Sequence, residues 1–178
     1  MSSSLLKQYS AQDRLRDGRP ILIRQIRADE QSTLTEVITH LSKKSRYFRY
    51  LTYKNEPSVG DLTAFTDINQ QHHVALVARL LVGDVETPLG LGEYYVNRDN
   101  ETTAELAFAV EEEYQGLGVA TALLKHLSLF AIKAGVAEFT ALVHPDNRKM
   151  MHVLEHCGYP IEVHRLFAAN KVLLTLAK

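Results

Sequence analysis

The stretch AELAFAVEEEYQGLGVATA, residues 104 to 122, determines the fold class of this 178-residue chain. Apolar residues dominate positions 104–110 and predict a strand. An acidic segment then leads through Gly116 and Gly118 into apolar residues that recur every three or four positions, as on one face of a helix. That helix is predicted over residues 117–134, and Gly135 stands where a helix commonly ends.

The glycine segment between strand and helix predicts a site for an anion. Gly116 and Gly118 have no Cβ, so a ligand can approach the main chain closely. The first turn of the following helix offers N–H groups without an intrahelical acceptor, and the helix dipole adds about 0.3–1 kcal/mol per negative charge. A diphosphate suits this arrangement.

Two other phosphate motifs fit the segment poorly. In the dinucleotide fingerprint GxGxxG, Thr121 would occupy the third glycine position, and Glu138 precedes its strand instead of ending it. A P-loop would need Gly-Lys-Ser/Thr after the glycines. A tight turn between strand and helix, with no ligand, is the remaining structural alternative.

Outward from this motif, strands and helices alternate without an internal repeat. Such an order predicts an α/β domain whose mixed sheet is flanked by helices, with residues 1–14 as an N-terminal extension and 15–178 as one domain. The predicted elements are a hairpin at 12–27, strands at 74–81, 89–96, 102–110, 139–143, 161–167 and 171–176, and helices at 29–41, 47–51, 62–68, 117–134 and 147–156.

Composition excludes several classes of protein. Apolar residues make up 46% of the chain, enough for a sizeable core, which argues against disorder. The 20 Lys and Arg nearly balance the 21 Asp and Glu, so neither nucleic acid nor an anionic membrane is an expected partner. A lone Cys157 cannot form an intramolecular disulfide, and no segment has the pattern of a signal peptide or a spanning helix. A cytoplasmic location is expected.

The residues around the glycines resemble the GNAT superfamily of acyl-CoA-dependent N-acetyltransferases. Its pyrophosphate loop is written Gln/Arg-x-x-Gly-x-Gly/Ala, and Gln115, Gly118 and Ala120 match it. A helix opened by Asn147 and ended by Gly158-Tyr159 resembles the second family signature. The N-terminal half is similar to the acetyltransferase domain of bacterial protein-lysine acetyltransferases, so the resemblance covers roughly residues 15–165. The segments that carry it there are Asp17-Gly18, Ile23 to Arg27, Asp29-Glu30 and Ser45 to Arg49.

The resemblance implies a mixed, mostly antiparallel sheet of six to seven strands with about four helices, splayed between its fourth and fifth strands. Acetyl-CoA, the acyl donor, would lie in that opening. Its pantetheine would meet the main chain of Phe108, Ala109 and Val110, and Asn147 would face its reactive end. The pyrophosphate would be held by N–H groups of Gln115, Gly116, Leu117, Gly118, Val119 and Ala120. A homodimer is a further family-level expectation.

The chemistry of amine acylation points to a base. A lysine-like ammonium with a pKa of about 10.4 must lose its proton before it attacks a thioester, at a free-energy cost of roughly 4–5 kcal/mol at pH 7. Glu105 is the first candidate because it lies on the strand that enters the loop, where polar residues are few. An exposed or ion-paired glutamate is the plain alternative. Glu93, on the preceding strand, is a weaker candidate for the base and could instead bind a cationic acceptor.

The general acid is less clear, because Leu154 stands where many family members place a tyrosine that protonates the departing thiolate. His144 is a nearby side chain that titrates close to neutrality and could substitute, although a structural or exposed role is the alternative. The pairs His72-His73 and His152 with His156 suggest no third metal ligand, so they are treated as surface residues and no metal is expected. Cys157 is interpreted as a small, buried residue.

These observations predict an acetyl-CoA-dependent N-acetyltransferase acting on a primary amine, either a protein lysine or a small molecule. The aromatic and basic stretch from Arg46 to Tyr50 could flank the acceptor, or simply pack. The alternative function is a non-catalytic acyl-CoA sensor that kept the loop and lost turnover. Leu154 is the feature that favours it.

Overall fold

The computed structural model describes residues 9–27, 29–51, 72–83 and 85–176. Its elements in chain order are β1 Ser10–Arg14, β2 Pro20–Gln25, α1 Gln31–His40, α2 Lys43–Tyr50, β3 His73–Val82, β4 Val85–Val96, β5 Thr103–Val110, α3 Val119–Lys133, β6 Glu138–Val143, α4 Arg148–Glu155, β7 Ile161–Arg165 and β8 Asn170–Thr175. A 3-10 turn, Glu112–Tyr114, joins β5 to α3. The helix predicted at residues 62–68 lies outside the described residues.

The strands form one sheet in the order β1-β2-β3-β4-β5-β6-β8-β7. Neighbours in this order are antiparallel except β5 and β6, which are parallel. The predicted mixed, mostly antiparallel sheet with helices on it is therefore confirmed. It has eight strands instead of six to seven, and its parallel pair is the fifth and sixth strands in chain order.

Strand β1 is the first strand of the hairpin predicted at residues 12–27, but it begins at Ser10 and lies within the segment predicted as an N-terminal extension. It pairs with β2 from Ser10 opposite Arg24 to Arg14 opposite Pro20. Gly18, at φ +90°, turns the chain between the two strands, as the Asp-Gly signal predicted. The sheet therefore begins before residue 15.

The core lies on both faces of the sheet. On one face, α3 buries Leu123, Leu124 and Leu127 in a large cluster that also contains Phe139 and Leu154. Full burial of each such side chain contributes about 1.5–3 kcal/mol to stability, which explains why the apolar periodicity located this helix correctly.

A smaller apolar cluster lies on the opposite face of the sheet, beneath α1. There Val37, Ile38 and Leu41 pack on side chains of β3, β4 and β5, among them Ala109. Strand β5 thus contributes to both clusters and runs through the centre of the molecule. In the described part of the chain, no helix combines the length and the apolar character needed to cross a bilayer.

Candidate active site

The sheet opens between β5 and β6. The two strands pair only from Thr103 opposite Glu138 to Glu105 opposite Thr140, and beyond that point no described strand lies against the outer side of β5. A cavity of about 930 Å³ fills the gap between β5, α2, α4 and the loop that precedes α3. Its volume lies at the upper end of the range for small-molecule sites.

The main chain of β5 presents free hydrogen-bonding groups to this cavity. Two hydrogen bonds at the ends of the β4–β5 ladder show which residues of β5 bond to β4: Asn97 N–H donates to Thr103 O and Glu111 N–H donates to Leu89 O, both at 2.9 Å. Because bonded pairs alternate along an antiparallel ladder, the odd-numbered residues of β5 are the ones that bond to β4. The N–H and C=O of Phe108 therefore face the gap, whereas those of Ala109 face β4. Val110 also faces the gap, but its carbonyl accepts a hydrogen bond from Gln115 Nε2 (3.1 Å).

The loop before α3 adopts the conformation that its two glycines predict. Gly116 and Gly118 have φ of +80° and +95°, in the left-handed region. Gly118 caps α3 without a side-chain hydrogen bond, and the first intrahelical bond is from Ala122 N–H to Gly118 O (2.9 Å). Within the described residues, the N–H groups of Val119 and Ala120 make no backbone hydrogen bond. These amides are available to an anion at the end of the cavity.

Two of the amides predicted to bind pyrophosphate are already used within the loop. Gln115 N–H donates to Glu112 O (3.3 Å), and Leu117 N–H donates to Tyr114 O (3.4 Å). Leu117 also does not line the cavity, whereas Gln115, Gly116, Gly118, Val119 and Ala120 do. Fewer N–H groups of the loop are therefore free to bind an anion than the sequence suggested.

The side chain of Gln115 ties three elements together. Its Nε2 donates to Ser45 Oγ on α2 (3.2 Å) as well as to Val110 O, and its Oε1 accepts from Lys149 Nζ on α4 (2.9 Å). The matching glutamine of the loop signature is thus a brace that holds α2 and α4 over the gap.

Glu112 makes a second connection between the loop and α2. Its Oε1 accepts a hydrogen bond from Ser42 N–H (3.0 Å). Burial alone would raise the pKa of Glu112, but hydrogen bonds from Ser45 and Ser42, together with the charge of Lys149, outweigh it and lower the pKa. The carboxylate therefore stays ionised and keeps the start of α2 docked on the loop.

Arg16 is a site residue that the sequence did not reveal. Its N–H donates to Leu117 O (2.9 Å), its guanidinium donates to Gly116 O (3.3 Å), and its side chain lines the cavity. Because Arg16 binds the carbonyl oxygens of Gly116 and Leu117, the N–H groups of the loop can point toward the cavity. Arg16 follows β1, about a hundred residues before the loop, and no local spacing connects the two segments.

The charge of the cavity suits an anionic ligand. Five cationic side chains line it against three acidic ones. The cationic residues are Arg16, Lys44, Arg49, Arg148 and Lys149, and the acidic ones are Glu105, Glu112 and Asp146.

Glu105 lies at the point where β5 and β6 separate. It belongs to the last residue pair of the parallel ladder, its side chain is exposed, and it lines the cavity. Within the described residues it has no ion-pair or side-chain hydrogen-bond partner. It shares its face of β5 with the small residues Ala107 and Ala109, which leaves space beside the carboxylate.

Glu93 is placed differently from what the sequence predicted. Only 1% of it is exposed, and it does not line the cavity. Its carboxylate is paired with the Arg49 guanidinium and with His73 Nε2 (3.0 Å). Its charge is therefore compensated inside the protein, and Arg49 is the member of this cluster that reaches the cavity. His73 was expected at the surface, but it is buried, with its Nε2 against the Glu93 carboxylate and its ring stacked on Tyr95.

His144 does not line the cavity either. Its ring stacks on Phe48 at a centroid distance of 5.1 Å, and its Nδ1 accepts from Asp146 N–H (3.1 Å). The geometry gives it a structural role behind Phe48, which itself lines the cavity. Because His144 is outside the cavity, its position does not support the predicted role as a general acid.

Asn147 and Leu154 lie on the wall that α4 contributes. Asn147 lines the cavity and caps α4, since its Oδ1 accepts from Met150 N–H (3.2 Å). Leu154 is fully buried between the cavity and the core. The position of the usual tyrosine is thus apolar and closed to solvent.

The histidines near α4 and the cysteine remain. His152 is exposed on α4 and lines the cavity, His156 is exposed just after α4, and Cys157 is half-buried against the core. Across the residues that the structure describes, no three His, Cys, Asp or Glu side chains converge as a metal site requires.

Known proteins share both the sequence pattern and the fold. The model of the acetyltransferase (GNAT) family matches residues 36–159. Acetyltransferase PA5475 of Pseudomonas aeruginosa is 30% identical over 145 residues, which cover 82% of this chain and 77% of that protein.

Two solved structures illustrate the likeness of fold. The GNAT domain of S. lividans PAT has a TM-score of 0.84 at 28% identity, and the match covers 93% of this chain and 96% of that one. The protein yncA of Salmonella typhimurium, solved with its cofactor acetyl-CoA, has a TM-score of 0.67 at 16% identity over 89% of this chain and 95% of that one, a likeness of fold alone.

The family match runs from α1 to the end of α4 and so contains the sheet opening, the glycine loop and the cavity wall. Because this match covers more than half of the chain and is joined by a relative of 30% identity, the protein belongs to the acetyltransferase (GNAT) family and is an acyltransferase.

Proposed function

We propose that this enzyme takes acetyl-CoA as acyl donor and transfers the acetyl group to a primary amine. The observation that carries the proposal is the meeting of two unfilled hydrogen-bonding surfaces in one cavity. The free edge of β5 at Phe108 suits the amides of an extended pantetheine, and the amides of Val119 and Ala120 suit a pyrophosphate.

In this reaction Glu105 accepts the proton that the attacking amine loses. The amine nitrogen forms a bond to the thioester carbon while the carbon–sulfur bond breaks, and the amine proton must leave. Glu105 is the acidic residue at the point of separation of β5 and β6, so it would accept this proton directly or through one water molecule. The departing thiolate takes a proton from water, because Leu154 offers none.

The acceptor is proposed to enter from the side of α2. Phe48, Arg49 and Tyr50 line the cavity there and give this entrance aromatic walls. A protein lysine or a small-molecule amine both satisfy the chemistry, and the resemblance of residues 15–165 to the acetyltransferase domain of bacterial protein-lysine acetyltransferases supports a protein lysine as the first substrate to test.

A direct test combines binding with turnover. Calorimetry should detect acetyl-CoA uptake, and free thiol should appear only when an amine from a panel of lysine peptides and small amines is added. Glu105→Gln should retain acetyl-CoA affinity within about twofold and lose at least about tenfold in thiol release, as expected for a general base. Glu101→Gln, an exposed glutamate before β5, is the matched control and should match the wild type.

Two results would change the proposal. Tight acetyl-CoA binding without acceptor-dependent thiol release, across the whole panel, would favour the acyl-CoA sensor, for which Leu154 is the supporting residue. Equal rates for Glu105→Gln and the wild type would remove the glutamate from the mechanism while leaving the donor site intact.

A further inference from the structure

Arg49 brings hydrogen-bond donors to the wall of the cavity. Its Nη2 donates to Glu93 Oε1, and its Cζ lies 5.2 Å from the centroid of the Tyr50 ring. Among the described residues, nothing accepts a hydrogen bond from Nη1 or Nε of Arg49. A guanidinium carries several N–H groups in a rigid plane, so most of those of Arg49 remain available to a molecule in the cavity.

The partners of Arg49 hold its guanidinium in one place. Glu93 is buried, and its second carboxylate oxygen lies 3.0 Å from Nε2 of the buried His73. Both oxygens of Glu93 are thus engaged, and the carboxylate is fixed between β3, β4 and α2. The ion pair therefore presents its positive end to the cavity and needs no rearrangement when a negative charge arises there.

The register of the sheet places this positive end near Glu105. Glu93 lies opposite Ala107 in the β4–β5 ladder, and Ala107 follows Glu105 by two residues, about 7 Å, on the same face of β5. Arg49, as the partner of Glu93, lies close to the same part of β5. Arg49 and Glu105 both line the cavity but form no ion pair, which leaves space for a substrate between the carboxylate and the guanidinium.

We propose that Arg49 is a catalytic residue that stabilises the negative charge on the acyl oxygen, an inference that rests on the proposed acetyl transfer. As the amine nitrogen bonds to the acyl carbon, an electron pair of the C=O bond moves to the oxygen. The free N–H groups of Arg49 donate to this oxygen. The C=O bond then re-forms, the carbon–sulfur bond breaks and the sulfur leaves with the electron pair. Glu105 takes the amine proton, and water protonates the thiolate.

Two variants that keep the buried cluster compensated test this role. Arg49→Lys retains a positive charge beside Glu93 but lacks the planar set of donors, so kcat should fall about tenfold or more. The double variant Arg49→Met/Glu93→Gln removes the charge without leaving a buried carboxylate unpaired, and the Gln oxygen still accepts from His73. Its kcat should fall about 100-fold or more, as on removal of an oxyanion donor.

The readout separates a catalytic role from a structural one. Calorimetry should give both variants an acetyl-CoA dissociation constant within about twofold of the wild type, because the charge on the acyl oxygen arises only during the reaction. Thermal melts should show both folded at the assay temperature, and Arg49→Lys carries the test if the double variant is unstable. Arg46→Lys is the matched control: Arg46 lies on the same helix, donates to Thr39 O (3.3 Å) and does not line the cavity, so its kcat should equal that of the wild type.

The choice of acceptor separates this role from recognition of the acceptor. The loss in kcat should be the same for a lysine peptide and for a small amine without a carboxylate, because both reactions place the same charge on the acyl oxygen. A rise in KM confined to acceptors that carry a carboxylate, with kcat unchanged, would show that Arg49 binds the acceptor and would overturn the proposal.

The wild type distinguishes failure of this inference from failure of the proposed function. If the wild type transfers acetyl groups and both Arg49 variants keep its kcat, Arg49 has no part in the chemistry, and the proposed function stands. If the wild type binds acetyl-CoA but releases no thiol with any acceptor, the proposed transfer is refuted together with this role.

Discussion

Replacement of Gly116 by alanine separates a cost to folding from a cost to ligand binding. Gly116 has φ +80°, and an added Cβ would meet no atom within 4 Å. Gly135, after α3 and away from the cavity, has φ +87° and is equally open. The two positions therefore impose the same conformational strain on alanine, and only Gly116 belongs to the loop.

The expected magnitudes follow from this pairing. A non-glycine residue in the left-handed region costs about 1–2 kcal/mol, so both variants should lose a similar amount of stability. For a domain of this size that corresponds to a fall in melting temperature of about 2–8 °C. If the backbone of the Gly116→Ala variant relaxes to relieve this strain, the carbonyl held by Arg16 turns and the loop amides tilt away from the ligand. Loss of one hydrogen bond to a charged phosphate costs about 1.5–3 kcal/mol, or about 10- to 150-fold in acetyl-CoA affinity.

Calorimetry with acetyl-CoA and thermal melts without it would measure both quantities for the wild type, Gly116→Ala and Gly135→Ala. We expect two destabilised proteins, of which only Gly116→Ala binds weakly. The reasoning fails if Gly116→Ala binds as tightly as the wild type, or if Gly135→Ala loses as much affinity.

Three further predictions concern charged residues. Arg16→Ala should raise the KM for acetyl-CoA about fivefold, the effect of a partly exposed charge, with kcat unchanged in steady-state thiol assays. Glu93→Ala should destabilise the fold by about 3–5 kcal/mol in urea titrations, because it removes the buried member of an ion pair and leaves the half-buried Arg49 guanidinium without its counter-charge; a loss below about 1 kcal/mol would contradict that. Hydrogen bonds from Arg24, stronger than the opposing effect of burial, lower the pKa of Glu30 to about 2 from 4.5. Since the folded value is the lower one, Glu30 stabilises the fold above about pH 4.5, and this contribution is lost as the pH falls toward 2. Glu30→Gln should therefore be less stable at pH 7 and flatter in its acid dependence, as followed by circular dichroism.

Local sequence patterns predicted the parts of the site that are built from neighbouring residues. The strand, the two glycines and α3 follow one another within about thirty residues, so periodicity and the absence of a Cβ were sufficient to place them. The same local logic found Asn147 as the residue that opens α4. Family resemblance then supplied the sheet opening, which no single segment encodes.

Contacts between distant segments could not be predicted in this way. Arg16 holds the loop from a turn that lies about a hundred residues earlier, and Glu93 is neutralised by Arg49 from a helix on another part of the chain. A glutamate in a strand looks the same whether its neighbour across the fold is water or a guanidinium. Local sequence therefore could not tell that Glu105 is exposed and Glu93 buried, and it is the contact of Arg49 with Glu93 that distinguishes the two.

The short ladder between β5 and β6 leaves the two parts of the sheet joined by few hydrogen-bonded residues. Three residue pairs connect a five-stranded half, β1 to β5, with a three-stranded half, β6 to β8. A ligand that hydrogen-bonds to the unpaired side of β5 and also contacts α4 connects the two halves. Ligand binding in this gap should then protect the Phe108 amide from deuterium exchange and raise the melting temperature by an amount that grows with ligand concentration.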